Sequence, residues 1–205
     1  MFGPIRTLVL AAALFLPLAF FVWFAFAQTV VLPVMYLAKF VLLNWVPDVF
    51  VDVERNRFAF DWITTLPVSA EALAKAGGQK IATVMTTNPM IYGYGLPVVA
   101  GLSLATPISV SKRFIQVLIG AVVILLVQTN GVVWEALKHL AYESGPLGLQ
   151  HALDVGLTQP VIGFFYQLGY LILPPLTPVA LWALMNRRFI QNLIEADSID
   201  VLDQP

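Results

Sequence analysis

Three side chains near residue 140 have the types and the spacing of a metal site. Glu135, His139 and Glu143 follow one another at intervals of four residues, so a helix through them places all three on one face. A histidine and two carboxylates arranged in this way can bind zinc or another divalent metal. The segment has no H-E-x-x-H pattern, however, and Lys138 adds a competing positive charge. Two interpretations follow, a metal site and, the one we favour, a solvated polar helix end.

The second histidine of the chain, His151, lies three residues before Asp154. An aspartate at this distance can orient an imidazole and raise its basicity for general base catalysis. Such a base needs a nucleophile, and neither Ser144 nor Tyr142 lies in a G-x-S-x-G or S-x-x-K motif. We favour a structural cap or a surface pair here. His139, His151 and Asp154 therefore remain only candidate catalytic residues.

Missing residue types narrow the chemistry further. The chain has no cysteine and only 2 histidines, which excludes disulfides, thiolate metal ligands and a cysteine nucleophile. Its 11 basic and 12 acidic residues leave a formal net charge of −1, so no basic excess indicates a nucleic-acid partner. We expect no cofactor and no nucleic-acid partner.

The elements that would position these residues are membrane helices. Hydrophobic residues make up 59% of the chain and charged residues 11%, against roughly 25% charged residues in soluble domains. A helix needs about 20 apolar residues to cross a bilayer. Four stretches meet or approach this length, at about residues 7–27, 90–105, 114–134 and 160–185. None has an ionisable residue in its core, which argues against an ion-coupled transporter.

Residues 30–46 are also apolar, and they form either a fifth span or a helix at the membrane interface. Basic residues flank the four spans at Arg6, Lys112–Arg113 and Arg187–Arg188, and the positive-inside rule places such residues in the cytoplasm. Four spans satisfy all three sites with both termini in the cytoplasm, whereas a fifth would move one site outside. We therefore predict an interfacial helix at 30–46 and a cytoplasmic tail at 186–205.

The first span also has features of a signal peptide. Ala25-Phe26-Ala27 matches a small-residue cleavage site, but the apolar stretch before it exceeds the usual length of a signal-peptide core. This length favours an uncleaved anchor.

The longest segment between spans, residues 47–88, is predicted to lie on the extracytoplasmic side. Two stretches with alternating side-chain character flank the polar residues Glu54–Arg57, which predicts a β-hairpin. A short helix is predicted at Ser69–Ala76, with its first residue as the N-cap. Aromatic side chains exposed on such a hairpin would be candidate partner contacts. These candidates are Phe58, Phe60 and Trp62.

Polar and small residues inside the spans predict helix packing. Gln128, Asn130 and Gln167 are expected to bond between helices, and Gly101 with Ala105 allows close helix approach. The predicted fold is thus an all-α membrane protein with a single membrane domain over residues 1–205. It has about four transmembrane helices, an interfacial helix after the first, and a small extracytoplasmic β-hairpin plus helix.

The order of segments in the second half of the chain resembles that of exosortases and archaeosortases, multi-pass membrane proteases that process C-terminal sorting signals. In those families a cysteine begins a glycine-rich span, an Asn-x-x-Arg motif closes the next span, and a histidine follows. Here the glycine-rich span is Gly93–Ala105, the asparagine is Asn130 and the histidine would be His151. The cysteine is missing, and Val133 stands where the arginine is required. The cleavage chemistry of that family is therefore not available to this chain.

In size and span layout, the chain is more similar to the small exosortase-associated membrane proteins, in particular the type that accompanies exosortase H. That resemblance implies a non-catalytic accessory role beside a protein-sorting protease in a bacterial inner membrane. The alternative is a membrane enzyme with a site at the extracytoplasmic interface, built from His139, His151 and the carboxylates around them.

Overall fold

The computed structural model of the chain describes residues 4–67 and 83–202. Within these residues it has nine α-helices, two π-helical turns and three β-strands. The helices are α1 (Pro4–Ala25), α2 (Ala27–Trp45), α3 (Met90–Gly93), α4 (Gly95–Ala105), α5 (Val110–Lys138), α6 (Gly145–Asp154), α7 (Gln159–Gln167), α8 (Leu173–Met185) and α9 (Arg187–Leu202). The strands are β1 (Phe50–Asn56), β2 (Ala59–Thr64) and β3 (Thr83–Thr87), and the π-helical turns are His139–Glu143 and Leu168–Ile172. The predicted class, an all-α membrane protein with a small β part, is confirmed.

In the described part of the chain, four helical stretches are long and apolar enough to cross a membrane. They are Ile5–Ala25, Ala27–Trp45, Val110–Glu143 and Gln159–Met185, whereas Met90–Ala105 is apolar but shorter. This set includes α2, for which the sequence predicted an interfacial helix. Length and composition alone therefore do not decide which helices cross the bilayer.

The chain folds into two compact units, and the first is held together by close helix packing. It contains α1, α4, the part of α5 up to Ile124, and the chain from Pro174 through α9. A Cβ atom at Gly101 would lie 2.9 Å from the Cα atom of Leu16, so the α1 and α4 backbones approach where a side chain would not fit. The expected close packing at Gly101 is confirmed, and it is the small-residue contact typical of membrane helices.

The second unit packs α2 against a three-stranded antiparallel sheet in the order β1-β2-β3. The predicted hairpin is confirmed as β1 and β2, joined by Arg57 and Phe58, with Arg57 at φ 56°. Strand β3 was not predicted, although its threonine and valine residues are typical of strands. The helix predicted at Ser69–Ala76 lies outside the described residues.

The sheet turns its aromatic face inward. Phe60 and Trp62 are 0% exposed, because alternate residues of β2 share one face and this face packs in the same apolar core as the buried stripe of α2. The indole Nε1 of Trp62 donates to Thr87 Oγ1 at 3.0 Å, so even its polar atom is used within the core. The prediction that Phe60 and Trp62 are exposed contacts is wrong, while Phe58 at the turn is half-buried.

An ion pair connects α2 to β1. Lys39 Nζ donates to Asp52 Oδ1 at 2.6 Å, and the same oxygen accepts the backbone N–H of Val53 at 2.7 Å. The hydrogen bond from Lys39 and that from the backbone lower the pKa of Asp52 below its ordinary value of 3.8. The side chains are 37% and 50% exposed, so solvent screens the pair and limits its contribution to stability.

We expect Asp52→Asn to reduce the free energy of unfolding by at most about 1 kcal/mol. Because the folded state lowers the pKa of Asp52, the contribution is fully present above the unfolded-state pKa and is lost as the pH falls through the folded-state pKa. Denaturant unfolding of the purified protein in detergent, at neutral and acidic pH, measures both effects. Glu54→Gln on the same strand is the control. A difference between wild type and Asp52→Asn that stays constant through this acidic range would contradict the assignment.

Candidate functional site

The last turns of α5 are enclosed on all sides. Its four consecutive residues from Gly131 to Trp134 are buried, as in a helix that is packed all round. A Cβ atom at Gly131 would lie 2.3 Å from Cδ1 of Tyr92. The glycine therefore leaves the space in which α3 brings the Tyr92 ring against α5.

A buried amide fixes this approach. The side-chain Nε2 of Gln128 donates to the backbone carbonyl of Pro89 at 2.7 Å, and the residue is 2% exposed. Gln128 thus bonds between segments as the sequence predicted. Asn130 instead accepts the indole N–H of Trp134 within the same helix at 3.1 Å, and Gln167 is exposed.

Glu135 lies at the edge of the contact between α3 and α5. Its Oε2 accepts the backbone N–H of Asn88 at 3.3 Å, and its carboxylate lies near the Tyr92 hydroxyl, close enough for an electrostatic effect. That hydroxyl is buried, and no hydrogen-bond partner within ordinary distance exists for it among the described residues.

Lys138 and three tyrosines form a chain of ring contacts next to Glu135. Lys138 Nζ lies 5.5 Å from the ring centroid of Tyr166, at the distance of a cation–π contact. Tyr166 stacks on Tyr170 with centroids 5.8 Å apart, and Tyr170 meets Tyr92 edge-on at 6.2 Å. We call Tyr92, Glu135, Lys138, Tyr166 and Tyr170 the tyrosine cluster. It extends from the fully buried Tyr92 to Tyr170, which is 43% exposed.

The second π-helical turn, Leu168–Ile172, carries Tyr170 to this position. A Cβ atom at Gly169 would lie 3.2 Å from Nδ2 of Asn130, so the turn packs closely on α5. Trp134 stacks on Phe165 with centroids 4.7 Å apart, which adds an aromatic contact between α5 and α7. The close approach at Gly169 and the stacking of Trp134 on Phe165 therefore hold α7 and the π-helical turn that follows it beside the end of α5.

The residues predicted as a metal site do not converge. Lys138 Nζ and His139 Nδ1 each contact one oxygen of the Glu143 carboxylate, whereas Glu135 is bonded to Asn88. No group of three or more His, Asp or Glu side chains suited to a metal occurs among the residues that the structure describes. His139 and Glu143 meet across the π-helical turn His139–Glu143, so it is Glu135, bonded to Asn88, that keeps the three residues from forming one site.

The candidate catalytic pair is not formed either. Asp154 accepts a hydrogen bond from Gln150 at 2.8 Å, and no bond joins it to His151 in the described structure. The two hydroxyls considered as nucleophiles serve the backbone. Ser144 donates to the carbonyl of His139 at 3.0 Å, and Tyr142 donates to that of Gln159 at 2.6 Å. Both hydroxyls therefore bond to backbone carbonyls and have structural roles.

Sequence reasoning singled out Glu135, His139 and Glu143 in this region but not the tyrosines. Tyr166 and Tyr170 are spaced four residues apart, which is the spacing of neighbours on a helix, and this signal could have indicated their contact. Tyr92 lies far away in the sequence, and no local pattern connects it with them.

Comparison with known proteins gives one finding. A family model described as "Exosortase H-associated membrane protein" matches residues 3–189 of the chain. No curated protein and no solved structure matches it significantly.

We expect Gly131→Ala to reduce the free energy of unfolding by about 1–3 kcal/mol, because the new methyl group would overlap the Tyr92 ring and force α3 away from α5. Gly169→Ala is the matched control, since its methyl group would be only slightly too close to Asn130. Thermal unfolding in detergent measures the loss, and near-ultraviolet circular dichroism reports the aromatic packing. Equal stability of Gly131→Ala and wild type would show that the contact is not as tight as described.

Proposed function

The chain belongs to the family of exosortase H-associated membrane proteins, and on this basis we propose that it is a non-catalytic accessory protein of an exosortase-type protein-sorting system in a bacterial inner membrane. The family match carries this proposal, since it extends over residues 3–189. The missing cysteine excludes the nucleophile of the protease itself, which leaves the role of a partner. No arrangement among the described residues favours the alternative of a membrane enzyme.

The contacts of α2 support a topology with four spans and α2 outside the hydrocarbon. β1 accompanies α2 along its length: Arg55 Nη1 donates to the Gln28 carbonyl at 3.0 Å, and the backbone N–H of Phe50 donates to the Val46 carbonyl at 3.1 Å. β1 and β3 are the edge strands of the sheet, and open sheet edges do not occur in lipid. Because the sheet packs on one face of α2 while apolar side chains such as Phe40 are exposed on another, this helix is expected to lie at the membrane interface.

The four spans are then α1, residues 90–105, the apolar part of α5, and residues 159–185. An even number of spans keeps both termini on one side. Arg6, Lys112–Arg113 and Arg187–Arg188 favour the cytoplasm for that side. The second unit accordingly presents its sheet on the extracytoplasmic side.

The tyrosine cluster is the surface that we propose for partner contact. Its exposed member Tyr170 is supported from behind by Tyr166 and Tyr92, and preorganised tyrosines are among the commonest anchors of protein interfaces. Phe58 at the hairpin turn remains a second candidate. A membrane partner would meet Tyr170 beside the apolar and exposed Leu171.

A reporter fused after Pro67 tests the topology. We expect an extracytoplasmic signal there and a cytoplasmic signal from a fusion after Lys112, because the sheet and the basic link should lie on opposite sides of the bilayer. Alkaline phosphatase and a fluorescent protein as paired reporters measure the two locations. A cytoplasmic signal at Pro67 would mean that α2 crosses the membrane.

Tyr170→Ala tests the accessory role. When the chain is coexpressed with the exosortase H of its own organism, we expect the two to co-purify and the variant to retain at least about tenfold less partner, the loss typical of an interface anchor. Tyr36→Ala, which removes an exposed tyrosine of α2 outside the tyrosine cluster, is the matched control. Photo-crosslinking from position 170 should capture the exosortase directly. Absence of both co-purification and crosslinking for the wild-type chain would refute the accessory role.

A further inference from the structure

A basic cavity lies within the first unit, where the start of α5 meets the junction between α8 and α9. Its volume is about 270 Å³, slightly below the range of about 300–1,000 Å³ for drug-sized ligands, and large enough for a phosphate group. Three cationic side chains line it: Lys112 from α5, and Arg187 and Arg188 from α9. The tyrosine cluster contributes nothing to this cavity.

A reciprocal pair of amides lies among the lining residues and fixes their backbone. Gln116 Nε2 donates to Asn186 Oδ1 at 2.9 Å, and Asn186 Nδ2 donates back to Gln116 Oε1 at 3.1 Å. Both residues are buried, at 7% and 4% exposure, so the pair is shielded from water and stronger than it would be at the surface. Lys112 lies one helical turn before Gln116, and Arg187 directly follows Asn186. The amide pair therefore holds the two cation-bearing segments together.

The positive charge of this cavity is not neutralised within the described part of the chain. The side chains of Lys112, Arg187 and Arg188 form no ion pair and no hydrogen bond with the residues that the structure describes. Both α5 and α9 begin at the cavity without an acidic residue in the first turn, and helix N-termini add partial positive charge. Glu195, two turns further along α9, is exposed and does not line the cavity.

The remaining lining residues are apolar and include Ile108, Leu184 and Phe189. A freely soluble anion would make no favourable contact with these apolar side chains. A phospholipid would, because its acyl chains lie directly beside its phosphate. Basic pockets between membrane helices are known to bind phospholipid headgroups. Charge, size and apolar lining thus agree on one class of ligand.

We propose that this cavity binds a phosphate-bearing anion, supplied by the headgroup of an anionic phospholipid. The cations contact the phosphate oxygens, and the apolar residues contact the first carbons of the acyl chains. This inference goes beyond the accessory role and stands independently of it.

Native mass spectrometry of the full-length protein in detergent tests the proposal, with phosphatidylglycerol, cardiolipin or phosphatidylcholine added. We expect the two anionic lipids to bind in preference to phosphatidylcholine. The triple variant Lys112→Gln, Arg187→Gln, Arg188→Gln should bind them at least tenfold more weakly, since each cation near an anionic surface contributes roughly a factor of five. The charge-preserving triple variant Lys112→Arg, Arg187→Lys, Arg188→Lys should retain most of the binding.

Arg6→Gln is the control, because Arg6 is another exposed cation of the first unit that does not line this cavity. A second arm adds inorganic phosphate to lipid-depleted protein and measures the shift in the midpoint of thermal unfolding. A shift that the Gln triple variant loses, without any preference for anionic lipid, would retain the phosphate site but overturn its lipid source. Equal lipid binding by wild type and the Gln triple variant, or an equal loss in Arg6→Gln, would overturn the site. Circular dichroism confirms that each variant is folded.

Discussion

The packing around α5 is the constraint on which the other contacts depend. This helix carries small residues where its neighbours approach most closely, and a Cβ atom at Gly120 would lie 2.6 Å from Cγ1 of Val99, just as one at Gly131 would overlap Tyr92. Inside a bilayer the hydrophobic effect does not drive helices together, because lipid tails are as apolar as their side chains. Close van der Waals contact at small residues must therefore supply the attraction. Each such glycine admits one specific side chain, which fixes where the short helices α3 and α4 can lie.

Polar side chains add direction to this packing. Gln128 bonds to Pro89 and Gln116 bonds to Asn186, and each pair joins α5 to a segment that is distant in the sequence. Bonds of this kind contribute only about 1 kcal/mol apiece, but an unpaired amide in the same place would cost more than that. They consequently select one arrangement among several that would bury similar apolar area.

Several parts of the fold could be predicted from the sequence because their signals are local. The apolar stretches of α1, α5 and residues 159–185, and the alternating pattern of the hairpin, depend on the composition and periodicity of neighbouring residues. Other parts could not be predicted, because they depend on what covers a surface. The alternating pattern of β2 predicted that its side chains point to two faces of the sheet. Which face is buried depends on α2, whose apolar stripe packs in the same core as Phe60 and Trp62. The metal-site interpretation, which we did not favour, depended in the same way on what lies nearby: Glu135 bonds to Asn88, which is distant in the sequence, and does not join His139 and Glu143.

The sequence by itself determined that this is a multi-pass membrane protein without a cysteine nucleophile, and its layout indicated the family to which the chain belongs. These properties follow from residue types and their order, which folding does not change. Only the tertiary structure decided that Phe60 and Trp62 belong to the core, that Glu143 is paired with Lys138 and His139, and that Tyr92 meets Tyr170 beside Glu135. Each of these outcomes depends on the three-dimensional approach of helices and strands, most of them distant in sequence, at a separation set by the side chains between them. The same holds for the basic cavity, whose cations are separated along the chain and are brought together by the bond between Gln116 and Asn186.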